Sequence, residues 1–500
     1  MNLIILLAAP LLTALLTLVA RNRDQVRWTA LAGSVLQLGL AIVLFLAFRS
    51  EKATQPDAVM LFEQEYALIP SMNIQFHFGV DGISVAMILL TALVVLAGVL
   101  VSWHVKKMTR EFYLLLLLLA LGAYGFFISL NLFILFFFLE ISVIPKYLLI
   151  GIWGSGRKEY SANKLALMLM GGSALILVGI LVLYFNAGRS FDLLTLSQHT
   201  FTGQLQAIAF PLLFVGFGVF TALFPLHTWV PDGHSSAPTA GSMFLAGISM
   251  KLGGYGCLRV ATWLLPEGAR QYGDLIIVLS AIAILYGAFA TMMQRDLKYI
   301  NAYSSVSHVG FSLLGIGMLT QTAITGALMQ MVSHGLMTAL FFAVIGMIYE
   351  RTHTRMVGEM GGLLKVMPFT GTVFFLVGLC SLGLPALSGF VAEMTVFMGS
   401  WERSGAFHRI ATIASAMSIV VTAVYILRAV GQVMMGPLSI PQEIAASPDK
   451  KPTRSIDAAW NERIAVILLL AGILAIGLAP GWLYELLREP ATMIMKRIEP

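Results

Sequence analysis

The sequence predicts an all-α polytopic membrane protein of about 14 transmembrane helices. It further predicts two inverted five-helix repeats, helices 4–8 and 9–13, with helices 7 and 12 discontinuous. Three observations carry this. Of 500 residues, 58% are hydrophobic and only 11% charged, against roughly 25% charged in a soluble domain. Fourteen stretches have the ~20 mostly apolar residues that cross hydrocarbon. Two of those stretches are broken by proline, at Pro225 and Pro385. The same composition excludes a soluble multidomain enzyme, a disordered chain, a disulfide scaffold and a nucleic-acid binder.

The elements follow in order. Residues 2–20 lack the positive n-region of a cleaved leader, and Arg21, Arg23 and Arg27 come after the apolar run, so a retained first helix is expected. Helix 2 covers 28–48. In the long connection 49–82, the alternating run Met72-Asn-Ile-Gln-Phe-His-Phe-Gly79 reads as a short hairpin strand. Helices at 83–102, 111–129 and 131–153 follow, the last holding Glu140, Pro145 and Lys146. Next come 162–186, a connection at 187–206, and 207–231, interrupted at Pro225. The stretch 239–264 carries Lys251 and Arg259. Helices 274–294, 299–318 and 323–349 follow, with His308 and His334 in the last two. After the connection 350–367, the stretch 368–400 is interrupted at Pro385 and carries Glu393, and 409–435 carries Arg428. The connection 436–463, with Pro437, Pro441, Pro452, Lys450, Lys451 and Arg454, is expected to run over the membrane surface before a final helix at 464–487. The chain thus divides into 1–110 (helices 1–3), 111–264 (first repeat), 274–435 (second repeat) and 436–500 (surface loop and helix 14).

Charge reports orientation. Connections after odd-numbered helices, with their flanking helix ends, hold 18 Lys/Arg, and the others hold nine. The positive-inside rule then places the first set in the cytoplasm and both termini outside. The net charge of +6 reflects an excess of bases over acids and points to no acidic ligand. Cys257 and Cys380 lie in apolar stretches and read as small core residues. The sequence has no Cys/His metal spacing and no GxGxxG before a helix, so no redox centre is expected in this chain.

The charges left over are the candidates for function. Lys146, Lys251, Arg259 and Arg428 sit within apolar helices, as do Glu140, Glu393, His308 and His334. Each such charge costs about 2.5–3.5 kcal/mol on insertion scales and persists where it faces a bundle interior, a partner or water. A structural polar knot needs one or two pairs, whereas a set spread over separate helices suits an ion path. Desolvation disfavours the charged form of each group and a nearby opposite charge restores it, so neighbouring sites titrate as a coupled chain. The two prolines lie 160 residues apart, Glu140 and His308 168 apart, and Lys251 and Arg428 177 apart. Matched interrupted helices in two halves point to inverted repeats, and an odd number of helices per repeat requires the inversion. Arg259 is expected to anchor at the membrane interface, His227 and His234 to serve loop architecture, and Asp232 to cap a helix.

The stretch Pro225-Leu-His-Thr-Trp-Val-Pro-Asp-Gly-His-Ser-Ser-Ala-Pro-Thr-Ala-Gly-Ser242 is the most specific motif. It is supported by Lys251-Leu-Gly-Gly-Tyr-Gly256, Ala302-Tyr-Ser-Ser-Val-Ser-His308, His334-Gly-Leu, and Gly383-Leu-Pro with Glu393. Over nearly its full length the chain resembles the antiporter-like subunits of respiratory complex I, most closely the subunit M, or chain 4, type. The resemblance implies proton translocation through a midplane chain coupled to quinone reduction in partner subunits. By position, Glu140 matches the family's helix-5 glutamate and Lys251 its central helix-8 lysine. His308 and His334 match the histidines of helices 10 and 11, and Glu393 the helix-12 acid facing the exit or the next subunit. The family's usual helix-7 lysine is Phe220 here. Lys146, six residues beyond Glu140, is its expected replacement if a kink at Pro145 turns it inward; the opposing reading is a lysine that snorkels to an aqueous edge. Arg428 joins the exit side or forms a structural salt bridge, and His227 is a further candidate.

The resemblance also implies FMN, iron–sulfur clusters and quinone in partner subunits, with none of these in this chain. The partners implied are neighbouring membrane-arm subunits, the peripheral redox arm indirectly, and the lipid bilayer of a bacterial inner membrane, with no nucleic acid. Three alternatives stay open: a subunit of a multisubunit cation/proton antiporter, a membrane arm of a ferredoxin-fed or hydrogenase-type relative, and a non-pumping structural subunit on account of Phe220.

Overall fold

The computed structural model describes residues 1–439 and 457–498, so most of the expected surface connection, 440–456, lies outside the described residues. In hydrocarbon every backbone N–H and C=O must be satisfied internally, and the apolar stretches accordingly coil. The first group is α1 (Ile4–Val19), α2 (Arg23–Thr54), α3 (Gly82–Val101) and α4 (Thr109–Ile128). Polar residues mark several starts: the side chains of Asn22 and Asp81 accept backbone N–H groups at the first turns of α2 and α3. Between these helices, β1 (Leu61–Ile69) pairs antiparallel with β2 (Ile74–Val80), Glu65 opposite His77, which realises the expected hairpin strand.

The stretch expected as one helix at 131–153 is two, α5 (Leu132–Ile141) and α6 (Val143–Trp153), separated at Ser142. Pro145 has no N–H to give the Ile141 carbonyl, and its ring crowds that carbonyl, so the ladder breaks one turn earlier. Next come α7 (Lys158–Asn186), the short α8 (Leu193–Gln198) and α9 (Gly203–Thr221).

Both prolines expected to break helices do so. After α9, Ala222 takes a left-handed conformation (φ 70°), and the chain resumes as α10 (Trp229–Ser236). The second break lies between α16 (Pro368–Ser381) and α17 (Ser388–Glu402), where Gly383 (φ 77°) and Ala386 (φ 74°) are left-handed. A left-handed alanine costs about 1–2 kcal/mol; both breaks carry one, so packing around them must hold it.

The stretch carrying Lys251 is also irregular. α11 (Thr239–Phe244) and α12 (Met250–Gly256) are joined by π-helical turns over Leu245–Ser249, and a second π segment covers Cys257–Thr262. Such widenings free backbone carbonyls and concentrate at functional sites. The glycines of α12 let it press on α9: a Cβ on Gly253 would fall 2.2 Å from Thr221 Oγ1.

The remainder is α13 (Pro266–Met292), α14 (Leu297–Met318), α15 (Gln321–Thr352), α18 (Ala406–Met434), α19 (Trp460–Leu478) and α20 (Gly481–Ile498). α15 is the axis of the bundle, buried without a gap from Ala323 to Ile348. α2 and α18, by contrast, turn Leu36, Leu46, Val424 and Leu427 outward, as lipid-facing helices do. The final helix expected over 464–487 instead ends at Leu478, because Pro480 and Gly481 interrupt it. α20 then packs Leu483, Leu487, Ala491 and Ile494 inward along one amphipathic face. Among the described residues, ten helical spans are long and apolar enough to cross a membrane. The protein is a multi-pass membrane protein.

Candidate functional site

Four of the sequence-selected residues form one contiguous row, each from a different element. Lys251 Nζ on α12 lies 2.8 Å from His334 Nδ1 on α15 and donates to the Ala246 carbonyl at 2.6 Å, a carbonyl belonging to the π turn. The His334 and His308 rings stack with centroids 5.7 Å apart. His308 Nδ1, on α14, is 3.0 Å from Glu393 Oε1 on α17, and its Nε2 is 3.0 Å from Ser381 Oγ at the end of α16. All four are buried, none more than 4% exposed. The broken helix therefore supplies two contacts, Ser381 before the break and Glu393 after it.

Glu140 and Lys146 form a second cluster. Glu140 accepts a short hydrogen bond from Ser173 Oγ on α7 and is half-buried. Lys146 is 1% exposed, so it does not snorkel; its Nζ donates to Ser142 Oγ at 3.0 Å, across the very break that Pro145 causes. No Lys146–Glu140 ion pair closes within 4 Å among the described residues, although Glu140 acts on Lys146 electrostatically. The Lys146 ammonium faces the ring of Phe220, 5.8 Å from its centroid.

Other expectations need correcting. Arg428 is exposed and, among the described residues, belongs neither to the buried row nor to a salt bridge: its Nη2 donates to the Met292 carbonyl at 2.6 Å, capping α13. Among the α18 residues that do turn inward is Tyr425, three positions earlier. It is fully buried, its hydroxyl lies among the Thr422, Ser381 and Ser304 side chains, and it is in electrostatic range of Glu393. Arg259 is no interface anchor: it is fully buried and pairs with Asp81, the N-cap of α3. Asp232 does not cap a helix; its two oxygens meet Lys164 Nζ (2.7 Å) and the Tyr299 hydroxyl (3.2 Å).

His227 lies in the first break, stacked on Phe224 and edge-on to Tyr286, with Nδ1 unpartnered. It touches neither cluster. His234 is more than loop architecture. It is fully buried against Trp229 and Phe342, neither ring nitrogen has a partner among the described residues, and it lies in electrostatic range of Lys251 and Lys298. Lys298, which the sequence places at a loop edge, is buried and donates to the Ala237 carbonyl at 2.6 Å. A histidine flanked by small residues in the Pro225–Ser242 motif was the available signal for His234; Lys298 left none.

Buried atoms with no hydrogen-bond partner among the described residues recur along the row: His334 Nε2, Gln330 Oε1 and both His234 nitrogens. Buried polar atoms are normally satisfied, and bound water is the usual partner when protein supplies none. The arrangement is thus a line of proton donors and acceptors with buried polar atoms between them.

A family model described as NADH:quinone oxidoreductase/Mrp antiporter, TM matches residues 129–418. The chain is 36% identical over 481 residues to an NAD(P)H-quinone oxidoreductase chain 4 of a Picosynechococcus species, covering 95% of this chain and 88% of that one. It is likewise 36% identical over 478 residues to the chloroplastic chain 4 of Angiopteris evecta, covering 94% of each. Among solved structures, a chain of respiratory complex I from Thermus thermophilus with bound NADH superposes with TM-score 0.89 at 26% identity over all of both chains. A chain of the Mrp complex from Dietzia superposes with TM-score 0.84 over 100% of this chain and 99% of that one; at 21% identity this likeness is one of fold alone.

Proposed function

Because this chain belongs to the NADH:quinone oxidoreductase/Mrp antiporter family of membrane subunits, we propose that it is a chain 4-type antiporter-like subunit that moves protons within an NAD(P)H-quinone oxidoreductase. The single observation that carries the reading is the row Lys251–His334–His308–Glu393, in which ionisable groups from four elements touch or stack in succession. FMN, iron–sulfur clusters and quinone belong to partner subunits, and neighbouring membrane-arm subunits flank this one. The 18-to-nine split of basic residues supports a bacterial inner membrane topology with both termini on the periplasmic side. The matched breaks near Pro225 and Pro385 support two inverted repeats spanning 111–264 and 274–435.

Lys251 and His334 share one proton across 2.8 Å: an ammonium donates to a neutral Nδ1, or a protonated ring donates to a neutral amine. Two unit charges about 4 Å apart repel by about 4 kcal/mol at an effective dielectric of 20, so loading one group drives the proton off the other. A proton leaving His334 from Nε2 enters His308 at Nε2, by way of water and the Ser381 hydroxyl that lies 3.0 Å from that nitrogen. The proton on His308 Nδ1 then passes to the Glu393 carboxylate, 3.0 Å away. The π turns hold Lys251 against the Ala246 carbonyl, which gives the charged form a partner in an otherwise apolar setting.

Lys146 buried against Phe220 favours this reading over a disabled, purely structural subunit, since the missing helix-7 charge is supplied from helix 5. The test is proton movement against quinone reduction in vesicles holding the intact complex, with Lys251→Ala and Glu140→Ala. Quinone reduction that continues at full proton stoichiometry in both variants would overturn the proposal. Full activity in sodium-free medium separates proton from sodium transport.

A further inference from the structure

The end of α13 carries a further charged feature. Where α13 ends and the last turns of α18 pass it, a cavity of about 380 Å³ opens between the helices, lined by Arg295, Arg428, Gln294, Gln432, Met293 and Ile300. No carboxylate lines it among the described residues. The Arg428 guanidinium spends only Nη2, on the Met292 and Gln294 carbonyls, so Nε and Nη1 stay free among the described residues. The Arg295 side chain makes no hydrogen bond or ion pair among them. Asp296, the nearest acid in sequence, is already held by Arg355 at 3.2 Å and by the first turn of α14.

Two guanidiniums with no ion-pair partner among the described residues line one cavity, and guanidinium geometry suits phosphate oxygens. The walls decide which anion. Phe289 and Met293 of the α13 end and Val424 and Leu427 of α18 are exposed apolar residues leading away from the cavity along the bundle surface. The connection after α13 lies on the Lys/Arg-rich side of the membrane, where basic pockets between helices take lipid head groups. We infer that this cavity is a binding site for the phosphate of an anionic phospholipid, seated between Arg295 and Arg428 with its acyl chains along α13 and α18.

The experiment is native mass spectrometry of the detergent-purified complex titrated with phosphatidylglycerol, with inorganic phosphate as competitor. Arg295→Gln and the double variant Arg295→Gln/Arg428→Gln are expected to bind one phosphatidylglycerol at least tenfold more weakly than wild type. Arg295→Gln breaks no side-chain hydrogen bond or ion pair among the described residues, so its result stands even if the double variant fails to assemble. The pair Arg157→Gln/Lys158→Gln, which removes the same charge from the same side, should leave binding unchanged. Equal retention in wild type and Arg295→Gln overturns the site. An equal loss in the control pair, or displacement by phosphate at matching concentration, overturns a seated lipid in favour of diffuse charge or a free anion.

Discussion

The Lys146 ammonium lies 5.8 Å from the centre of the Phe220 ring, so a charge from α6 occupies the space in front of the position where α9 carries none. Both side chains are buried, at 1% and 0% exposure. The ring face attracts the cation, worth up to about 2 kcal/mol when desolvated, and Ser142 Oγ holds the ammonium at 3.0 Å. Lys146→Gln is therefore expected to abolish coupled proton movement with the complex still assembled. Lys146→Gln combined with Phe220→Lys should restore a measurable part of it, because the second change returns a charge to the same space from the other helix. The readout is the ratio of protons moved to quinone reduced. An unchanged ratio in Lys146→Gln would refute the substitution of one lysine for the other.

Tyr425 gives a prediction that separates a relay from a packing role. Its hydroxyl is buried among the Thr422, Ser381 and Ser304 side chains and in electrostatic range of Glu393, beside the row through the same Ser381 that contacts His308. Tyr425→Phe keeps ring and volume and removes only the oxygen, so stability should hold within ~1 kcal/mol while proton movement falls severalfold. Equal pumping would assign the ring to packing alone.

Arg259 and Asp81 form a buried pair joining the π segment after α12 to the start of α3. Removing one partner of such a pair costs about 3–5 kcal/mol because the other charge is left buried. Arg259→Met should thus lower the thermal unfolding midpoint sharply. The double variant Arg259→Met/Asp81→Asn should recover much of the loss, since Asn still caps the helix. Two equally destabilised variants would show that the lost packing of the Arg259 side chain, not the unpaired Asp81 charge, carries the effect.

What the sequence disclosed and what it hid follow from range. The apolar, helical character of the chain, the two breaks and the hairpin strand rest on runs of neighbouring residues, and those were legible; the bounds at 131–153 and 464–487 were not. So were the row residues, because a charge or histidine inside an apolar run is conspicuous wherever the chain goes. Arg259 was misplaced because its partner lies 178 residues away at a helix start that looks like a loop. Arg428 looked buried because its neighbours are apolar, yet on a lipid-facing helix those neighbours face hydrocarbon; the inward residue three positions earlier is an uncharged tyrosine. His234 and Lys298 were hidden by polar flanks that signal a surface, whereas here the first break folds that segment under α15.

The last prediction concerns the hairpin, outside the spanning helices. His77 on β2 lies 2.6 Å from Asp192 Oδ2 through Nδ1, and 3.3 Å from Glu63 and 3.5 Å from Glu65 through Nε2. Burial disfavours the imidazolium, but the bond to Asp192 and the charges of Asp192 and Glu65 outweigh it and hold the His77 pKa above its ordinary 6.5. Asp192 is held below its ordinary 3.8: burial opposes this, and hydrogen bonds from His77 and Thr195 prevail. A raised histidine stabilises fully below 6.5 and loses that contribution as pH rises through the raised value. A lowered carboxylate stabilises above 3.8 and loses its contribution as pH falls through the lowered one. The clasp is therefore at full strength between about 3.8 and 6.5 and weakens on the alkaline side. The Leu130 amide donates to the His77 carbonyl at 2.8 Å and reports on it directly. Its hydrogen-exchange protection, corrected for intrinsic rate, should fall as pH rises from 6 towards 9 in the wild type and stay flat in His77→Gln. Parallel profiles in the two proteins would mean that backbone pairing alone fastens the hairpin to the α4–α5 connection.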